Sequence, residues 1–538
     1  MATSSLTRRS LVGRLPHPAA PAPLWLLLPA LGVAALAALP ICYLLIRAAG
    51  VEESALALVL RPRTLEVLGG SVALAAGVGA GSIALGLPLA WLTTRTDLPG
   101  RRLWTVLTVV PLAVPSYVMA LGFVAALGPR GALSELLRSL GLPGLPSIYG
   151  LGGAVLVLTL ATYPYVLLGA RAALLRADPA LEEAGRSLGD RPLTVFRRVT
   201  WPLLLPAVGA GALLAVLYAL ADFGAVAILQ FDSFARSIYI QYRASFDRSQ
   251  AALLALILVG ATLLVAWLEA RARGRRALIG QAVARRPPPQ IPLGRWRWPA
   301  LGFSAAVVAL GLAVPGGTLL YWLARGLAQG EQVRVLGDAV LGSVIGGSAA
   351  ALIAVALALP VALLVVRHPG RLSGWIEGVL YSAYAVPGIV VALAVVVFVL
   401  NLAPIVYQTL LVLVLAYAVR FLPQAVGPLR TSLAQAGSRL TEAARTLGDS
   451  PLRAFRRVTL PLLRPGIAAA AALVFLTTVK ELPITLLLAP AGFDTLATAV
   501  WSAASEGFFA RAAAPAVLLT VVAGATVGLL FRSEEPPR

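Results

Sequence analysis

Four ionisable residues, Asp222, Arg420, Lys480 and Glu481, stand in stretches of the sequence that are otherwise apolar. A charged side chain at the centre of a hydrocarbon layer costs about 2.5 to 3.5 kcal/mol on insertion scales, so such groups face a bundle interior or water and line a pathway or its gate. The alternative is packing, with Arg420 or Lys480 paired to Glu481 or Asp222. Lys480 and Glu481 are neighbours and would point about 100° apart on a helix, so they need not pair with each other. Two carboxylates with no clustered His, Cys or Tyr do not make a tight metal site. The two histidines, His17 and His368, and the one cysteine, Cys42, exclude a histidine or cysteine cluster and an intrachain disulfide.

ATP chemistry needs a GxxxxGK[ST] loop whose lysine reaches the terminal phosphates. The only lysine is Lys480, in TTVKELP, with no glycine before it. The chain therefore supplies no such loop, and any transport it performs is driven by a partner or by an ion gradient.

The second chemical feature occurs twice. LEEAGRSLGDRPLTVFRRVTWPLLLP (181–206) aligns without gaps to LTEAARTLGDSPLRAFRRVTLPLLRP (440–465), with 18 of 26 residues identical at an offset of 259. The same offset pairs Pro164 with Pro423, Arg171 with Arg430 and Asp222 with Glu481. Upstream an offset of 272 pairs Ser71, Pro88, Arg95 and Pro115 with Ser343, Pro360, Arg367 and Pro387, and downstream 262 pairs FDSFARSIY with FDTLATAVW. In the first copy, Asp178 is placed to cap a short helix with Pro179 at its first position and Glu182 and Glu183 in its first turn. Gly189 ends that helix and Asp190 caps a second, amphipathic stretch. Glu442, Gly448 and Asp449 repeat the pattern. A surface loop lying on lipid needs only amphipathicity, which leaves the shared polar pattern unexplained.

These residues must be carried by membrane spans. The chain has 538 residues, is 59% hydrophobic and only 12% charged, and its mean hydropathy is +0.86, values outside the soluble range. A helical span takes about 20 apolar residues. Twelve runs qualify: 24–46, 68–93, 103–127, 148–170, 203–230, 250–268, 299–323, 339–366, 376–400, 402–426, 465–489 and 512–531. The first reads as an uncleaved span, because its basic N-terminal flank is followed by no small-residue cleavage site. With the N-terminus inside, inside segments hold far more arginine than outside ones, which places both termini in the cytoplasm. That bias accounts for most of the net charge of +21 without nucleic acid. The organisation is thus all-α and integral to the lipid bilayer: two parallel six-span halves, 1–270 and 299–538, joined by a cytoplasmic linker over 271–298.

Glu183-Ala184-Gly185, Gly189 and Val199-Thr200-Trp201-Pro202 resemble the EAA loop of ABC importer permeases: Glu-Ala-Ala, three residues, Gly, nine residues, Ile-x-Leu-Pro. Glu442-Ala443-Ala444, Gly448 and Val458-Thr459-Leu460-Pro461 depart from it only by Val for Ile. The resemblance extends over nearly the whole chain to the fused permeases of ferric iron importers, through ALADFGAVAILQFDSFARSIYIQYRASFDRSQAALLALILV, KELPITLLLAPAGFDTLATAVW, RTDLPGRRLW and PLAVPSYVMALG. It implies the type I ABC importer permease fold in a bacterial inner membrane. It further implies coupling helices seated on two ABC ATPase subunits, which carry ATP and Mg, and an extracytoplasmic substrate-binding protein that delivers ferric iron. Thiamine, sulfate, polyamine and phosphonate permeases share the scaffold. A rival class is a gradient-driven carrier of six plus six spans, whose D-x-x-G-R-R loop TDLPGRR (96–102) loosely resembles; such carriers lack twin EAA loops. A membrane enzyme finds no nucleophile with a base.

Overall fold

A computed structural model describes residues 22–49, 60–129, 131–141, 146–244, 249–279, 290–330, 336–437 and 439–534. The apolar runs fold as helices because hydrocarbon offers no partner for backbone N–H and C=O groups. Among the described residues eleven helical segments are long and apolar enough to cross a membrane, twelve if the bent pair Arg371–Ala385 and Gly388–Leu402 is one span. The first half is built on Leu24–Ala49, Pro62–Arg95, Ser116–Leu127, Leu151–Arg176, Trp201–Ala221 and Ser249–Ile279. The second is built on Gly294–Ala328, which passes through a π turn at Ala309–Ala313, and on Leu336–Arg367, the bent pair, Leu410–Ala436, Leu460–Val479 and Phe509–Glu534. The all-α architecture of two six-span halves expected from the sequence is the one the chain adopts.

Four of the expected spans are interrupted, at equivalent places in the two halves. The run 103–127 is a helix Arg101–Leu107, a 3-10 turn Val110–Ala113 and a helix Ser116–Leu127, since Pro111 and Pro115 cannot donate to the preceding turn. At the matching Pro387 the run 376–400 bends by 103°. The run 203–230 stops at Ala221, passes through extended Asp222 and resumes as a short helix Gly224–Ile228. The run 465–489 stops at Val479 and resumes as Pro483–Leu488. The run 402–426 is displaced to Leu410–Ala436, because Pro404 opens a separate turn and the Thr409 side chain accepts from the Val412 amide to cap the helix. The Ser249–Ile279 helix continues past the expected start of the linker at 271; residues 1–21 and 280–289 lie outside the described residues.

The halves interlock. Leu24–Ala49 of the first packs on Leu336–Arg367 and Arg371–Ala385 of the second, while Val314–Ala328 packs on Ser116–Leu127 of the first. The last contact is close: a Cβ on Gly122 would lie 2.6 Å from the Pro315 Cα, the kind of small-residue approach on which helix association in lipid depends. The repeated Ser71 and Ser343 have equivalent work. Ser71 Oγ accepts from the Phe234 amide at 3.0 Å and Ser343 Oγ from the Leu496 amide at 2.8 Å, each tying a short helix on the side away from the repeated loops to the second span of its half.

Candidate functional site

The interrupted spans meet in a cavity of about 310 Å³ between the halves. Equivalent positions line it in pairs: Tyr165 with Gln424, Tyr218 with Thr477, Ser116 with Gly388 and Asp222 with Glu481. The two carboxylates are held differently. Asp222 Oδ1 accepts from the amides of Ala225 at 2.9 Å and Val226 at 3.4 Å, so it caps the Gly224–Ile228 helix, and its Oδ2 accepts from the Ser116 hydroxyl. Glu481 Oε1 accepts from the Ile484 amide at 3.4 Å, capping Pro483–Leu488, and its Oε2 lies 3.7 Å from Arg420 Nε. Arg420 Nη1 also donates to the Val386 carbonyl at 2.5 Å, at the bend of the ninth span. Lys480 Nζ reaches across to the Leu112 carbonyl of the first half at 3.5 Å and forms no ion pair among the described residues.

The four charged residues singled out in the sequence are therefore gathered around one cavity, and one of the possible ion pairs, Arg420 with Glu481, is present. Helical geometry does not govern Lys480 and Glu481, because the helix ends at Val479. The reading that no tyrosines cluster is corrected: Tyr117, Tyr165, Tyr218 and Tyr384 all line the cavity, brought together from four separate segments. The Tyr117 hydroxyl is buried with no hydrogen-bond partner among the described residues, and Tyr384 accepts from Gln424 at 2.7 Å.

Phe223, only 2% exposed, closes one end of the cavity. Its ring stands 4.7 Å from that of Tyr239 and 5.2 Å from that of Trp501, which the repeat pairs with Tyr239. Beyond this aromatic cluster lies a second cavity of about 510 Å³, lined by Tyr149, Arg236 and Glu506 and also bordered by Phe223. The first cavity reaches Tyr165, further along the Leu151–Arg176 helix, so it lies toward the repeated loops.

Each repeated loop is a short helix, a glycine turn and a second helix that re-enters the bundle. Pro179–Ser187 is capped by Asp178, whose Oδ1 accepts from the Ala180 amide at 3.0 Å. Gly189 has φ +86° and Gly448 φ +96°. In each copy the amides of this glycine and of the next residue bond back into the helix, Asp190 to the Gly185 carbonyl at 3.2 Å and Asp449 to the Ala444 carbonyl at 3.0 Å, a Schellman closure that favours glycine. Asp190 and Asp449 do not cap the following helix. They face arginines instead, Arg198 at 3.6 Å, and Arg453 and Arg457 at 4.0 Å, while Ser450 caps in the second copy. FRRVT forms a π turn in both copies, at Phe196–Thr200 and Phe455–Thr459, just before Pro202 and Pro461. Glu183, Ala184, Gly189, Glu442, Ala443 and Gly448 are exposed. Gly185 faces Val195, 3.2 Å from where its Cβ would be, whereas Ala444 and the residue equivalent to Val195, Ala454, are both buried. The two copies thus exchange bulk between facing positions.

Residues 82–276 and 352–533 each match the family described as binding-protein-dependent transport system inner membrane component. The chain belongs to this family. It is a fused permease carrying the family's unit twice. It is 34% identical over 514 residues to the Fe(3+)-transport system permease protein FbpB 2 of Haemophilus influenzae, covering 94% of this chain and 98% of that protein. The ferric transport system permease protein FbpB of Actinobacillus pleuropneumoniae is 25% identical over 486 residues, 85% of this chain and 69% of that one. The molybdenum transport system permease protein ModB of Mycobacterium tuberculosis is 31% identical over 209 residues, 39% of this chain and 77% of that one.

The permease also contains site residues that sequence reasoning passed over. Glu182, read as a first-turn helix residue, is buried and ion-paired with Arg95, which donates to it across 87 positions of sequence. Ser116, Gly388, Phe223 and the tyrosines carry no motif of their own. A signal for two of them existed in the offset of 272, which sets Ser116 against Gly388 directly after the paired prolines.

Proposed function

We propose that this permease imports ferric iron handed to it by an extracytoplasmic binding protein, and that two ATPase subunits drive it from the cytoplasmic side by docking on the Pro179–Ser187 and Arg439–Thr446 helices. The observation that carries the reading is the loop built twice to one plan on one side of the bundle, together with near full-length similarity to a permease named for Fe(3+) transport. Glu183, Ala184 and Gly189, and Glu442, Ala443 and Gly448, form the exposed faces of the two docking surfaces, while Gly185 and Ala444 of the same motif turn inward and set how each short helix sits on the segment behind it. ATP and Mg belong to the ATPase partner. The arginine bias supports cytoplasmic termini and loops.

Asp222, Arg420, Lys480 and Glu481 border the transit cavity in this reading, and Phe223, Tyr239 and Trp501 form the outer gate. Hard oxygen donors suit a ferric ion, and here they are carboxylates already holding helix ends and tyrosine hydroxyls, a set fit for transit and not for storage. A second reading, import of an oxyanion such as molybdate, is favoured by Lys480, which borders the cavity and has no ion pair among the described residues, and by similarity to the half-length molybdenum permease.

The test is uptake by cells lacking this chain. Loss of ATP-dependent accumulation of radioactive ferric iron at low concentration, restored by the wild-type chain, is expected. Loss of molybdate, sulfate, thiamine, polyamine or phosphonate uptake with iron uptake intact would discard iron and keep the transporter class. Uptake that persists without any ATPase subunit and collapses with a proton uncoupler would discard the class.

A further inference from the structure

The two repeated loops, alike in backbone, are fastened to the bundle by different chemistry. In the first half Arg95, the last residue of the Pro62–Arg95 helix, donates to Glu182 in the short helix of the loop. Glu182 Oε1 also accepts from Thr200 Oγ1 at 3.0 Å, and Arg186 stands 3.8 Å from the same carboxylate. The pair is closed off from water: Arg95 is 1% and Glu182 7% exposed. Among the described residues Arg95 Nε and Nη1 have no hydrogen-bond partner and Glu182 is the one anion that pairs with this guanidinium.

The equivalent residues of the second half are Arg367, Thr441 and Thr459. There the acid is missing. Arg367 Nη2 donates to Thr459 Oγ1 at 3.3 Å, the Thr441 and Thr459 hydroxyls lie 3.2 Å apart, and Arg367 is exposed. The two arginines also differ in what pairs with the chain beside them. The Ile291 amide donates to the Arg95 carbonyl at 2.7 Å, the Asp97 amide to the Ile291 carbonyl at 3.4 Å, and the Leu293 amide to Asp97 Oδ1 at 2.8 Å. This covers Arg95 and Thr96, and no such bridge forms at Arg367 among the described residues.

We infer that Arg95 and Glu182 are a latch that positions the first loop for its ATPase, so that two like subunits meet one stiff loop and one compliant loop. This rests on the docking reading above. Glu182 acts here as a positioning residue, since it is buried behind the face offered to a partner. Removing one member of a buried pair leaves the other charge uncompensated, whereas replacing both members does not; the variants are chosen on that basis.

The experiment is amide hydrogen exchange on the full chain in lipid nanodiscs, followed by ATPase stimulation with its ATPase subunit added. Amides of 180–188 are expected to exchange at least tenfold more slowly than those of 440–447, and Glu182→Gln is expected to remove the difference and cut stimulation at least fivefold. Should Glu182→Gln not fold, the double variant Arg95→Gln with Glu182→Thr, which leaves no uncompensated charge and gives the first loop the hydroxyl side chain the second loop carries at Thr441, gives the same readouts. Equal exchange in the wild-type chain, or a difference that survives the loss of the pair, overturns the latch without reference to any partner. Exchange that becomes equal while stimulation stays at the wild-type level overturns the positioning role.

Discussion

Gly388 lies against the carboxylate of Glu481, and a Cβ there would stand 2.5 Å from Glu481 Oε1 and 3.3 Å from Arg420 Cζ. In the first half the matching residue is Ser116, whose hydroxyl donates to the matching acid, Asp222. The shorter acid leaves room for a serine to bond it, while the longer acid with its arginine fills that room itself. One geometric demand, an acid capping a short helix at a broken span, is met by two different sets of residues.

Gly388→Ala is expected to push Glu481 off the Ile484 amide and away from Arg420. Overpacking a filled site costs about 1 to 3 kcal/mol, which thermal unfolding of the purified chain in detergent would register as a lower midpoint. Combining it with Glu481→Asp should recover part of the loss, because the shorter side chain vacates the contested space. A Gly388→Ala chain as stable as wild type would mean that the carboxylate is not held where the geometry puts it.

The repeat, the spans and the turn at Gly189 and Gly448 were legible because each leaves a local trace: apolar length, an alignment offset, a glycine after a short polar helix. The interruptions at Asp222 and Glu481 were not, since a run that stays apolar across a break has the composition of one continuous helix. Pro115 and Pro387 were visible as prolines, yet membrane helices elsewhere in this chain absorb proline without stopping, as at Pro164 and Pro360. The cavity's tyrosines come from positions 117, 165, 218 and 384, and only tertiary packing joins residues so far apart. The burial of Glu182 was hidden for a similar reason: its partner, Arg95, and the segment at Ile291 that covers that partner come from distant parts of the chain.

Phe223 offers a test of the outer gate. Its ring packs with Tyr239 and Trp501, and aromatic pairs contribute about 0.5 to 1.5 kcal/mol each beyond their buried area. Phe223→Ala should therefore loosen the barrier between the two cavities, and proteoliposomes carrying it should leak a small cation such as rubidium several times faster than wild type in the absence of ATP. Phe223→Trp should stay tight. Leu482→Ala, at the equivalent position of the other half, should leak less, since Leu482 makes no aromatic stack. If Phe223→Ala vesicles are as tight as wild type, the seal lies elsewhere.

Leu188 and Leu447 occupy matching positions directly before the turn glycines and are 87% and 89% exposed. Side chains that bare contribute little to the fold of their own loops, so replacing them should leave the unfolding midpoint unchanged. At a docking surface they would be anchors instead, and truncating a central anchor typically costs 2 kcal/mol or more, roughly a thirtyfold loss of affinity. Leu188→Ser and Leu447→Ser are each expected to weaken binding of the purified ATPase subunit to the nanodisc-embedded permease by about that factor, with stimulation falling in parallel. Leucines that dip into the lipid surface would behave otherwise: the serine variants would bind the ATPase as wild type does, while the loop amides exchanged faster. That result would remove the leucines from the docking surface, and with them the reason to place the ATPase contact at the tip of each loop.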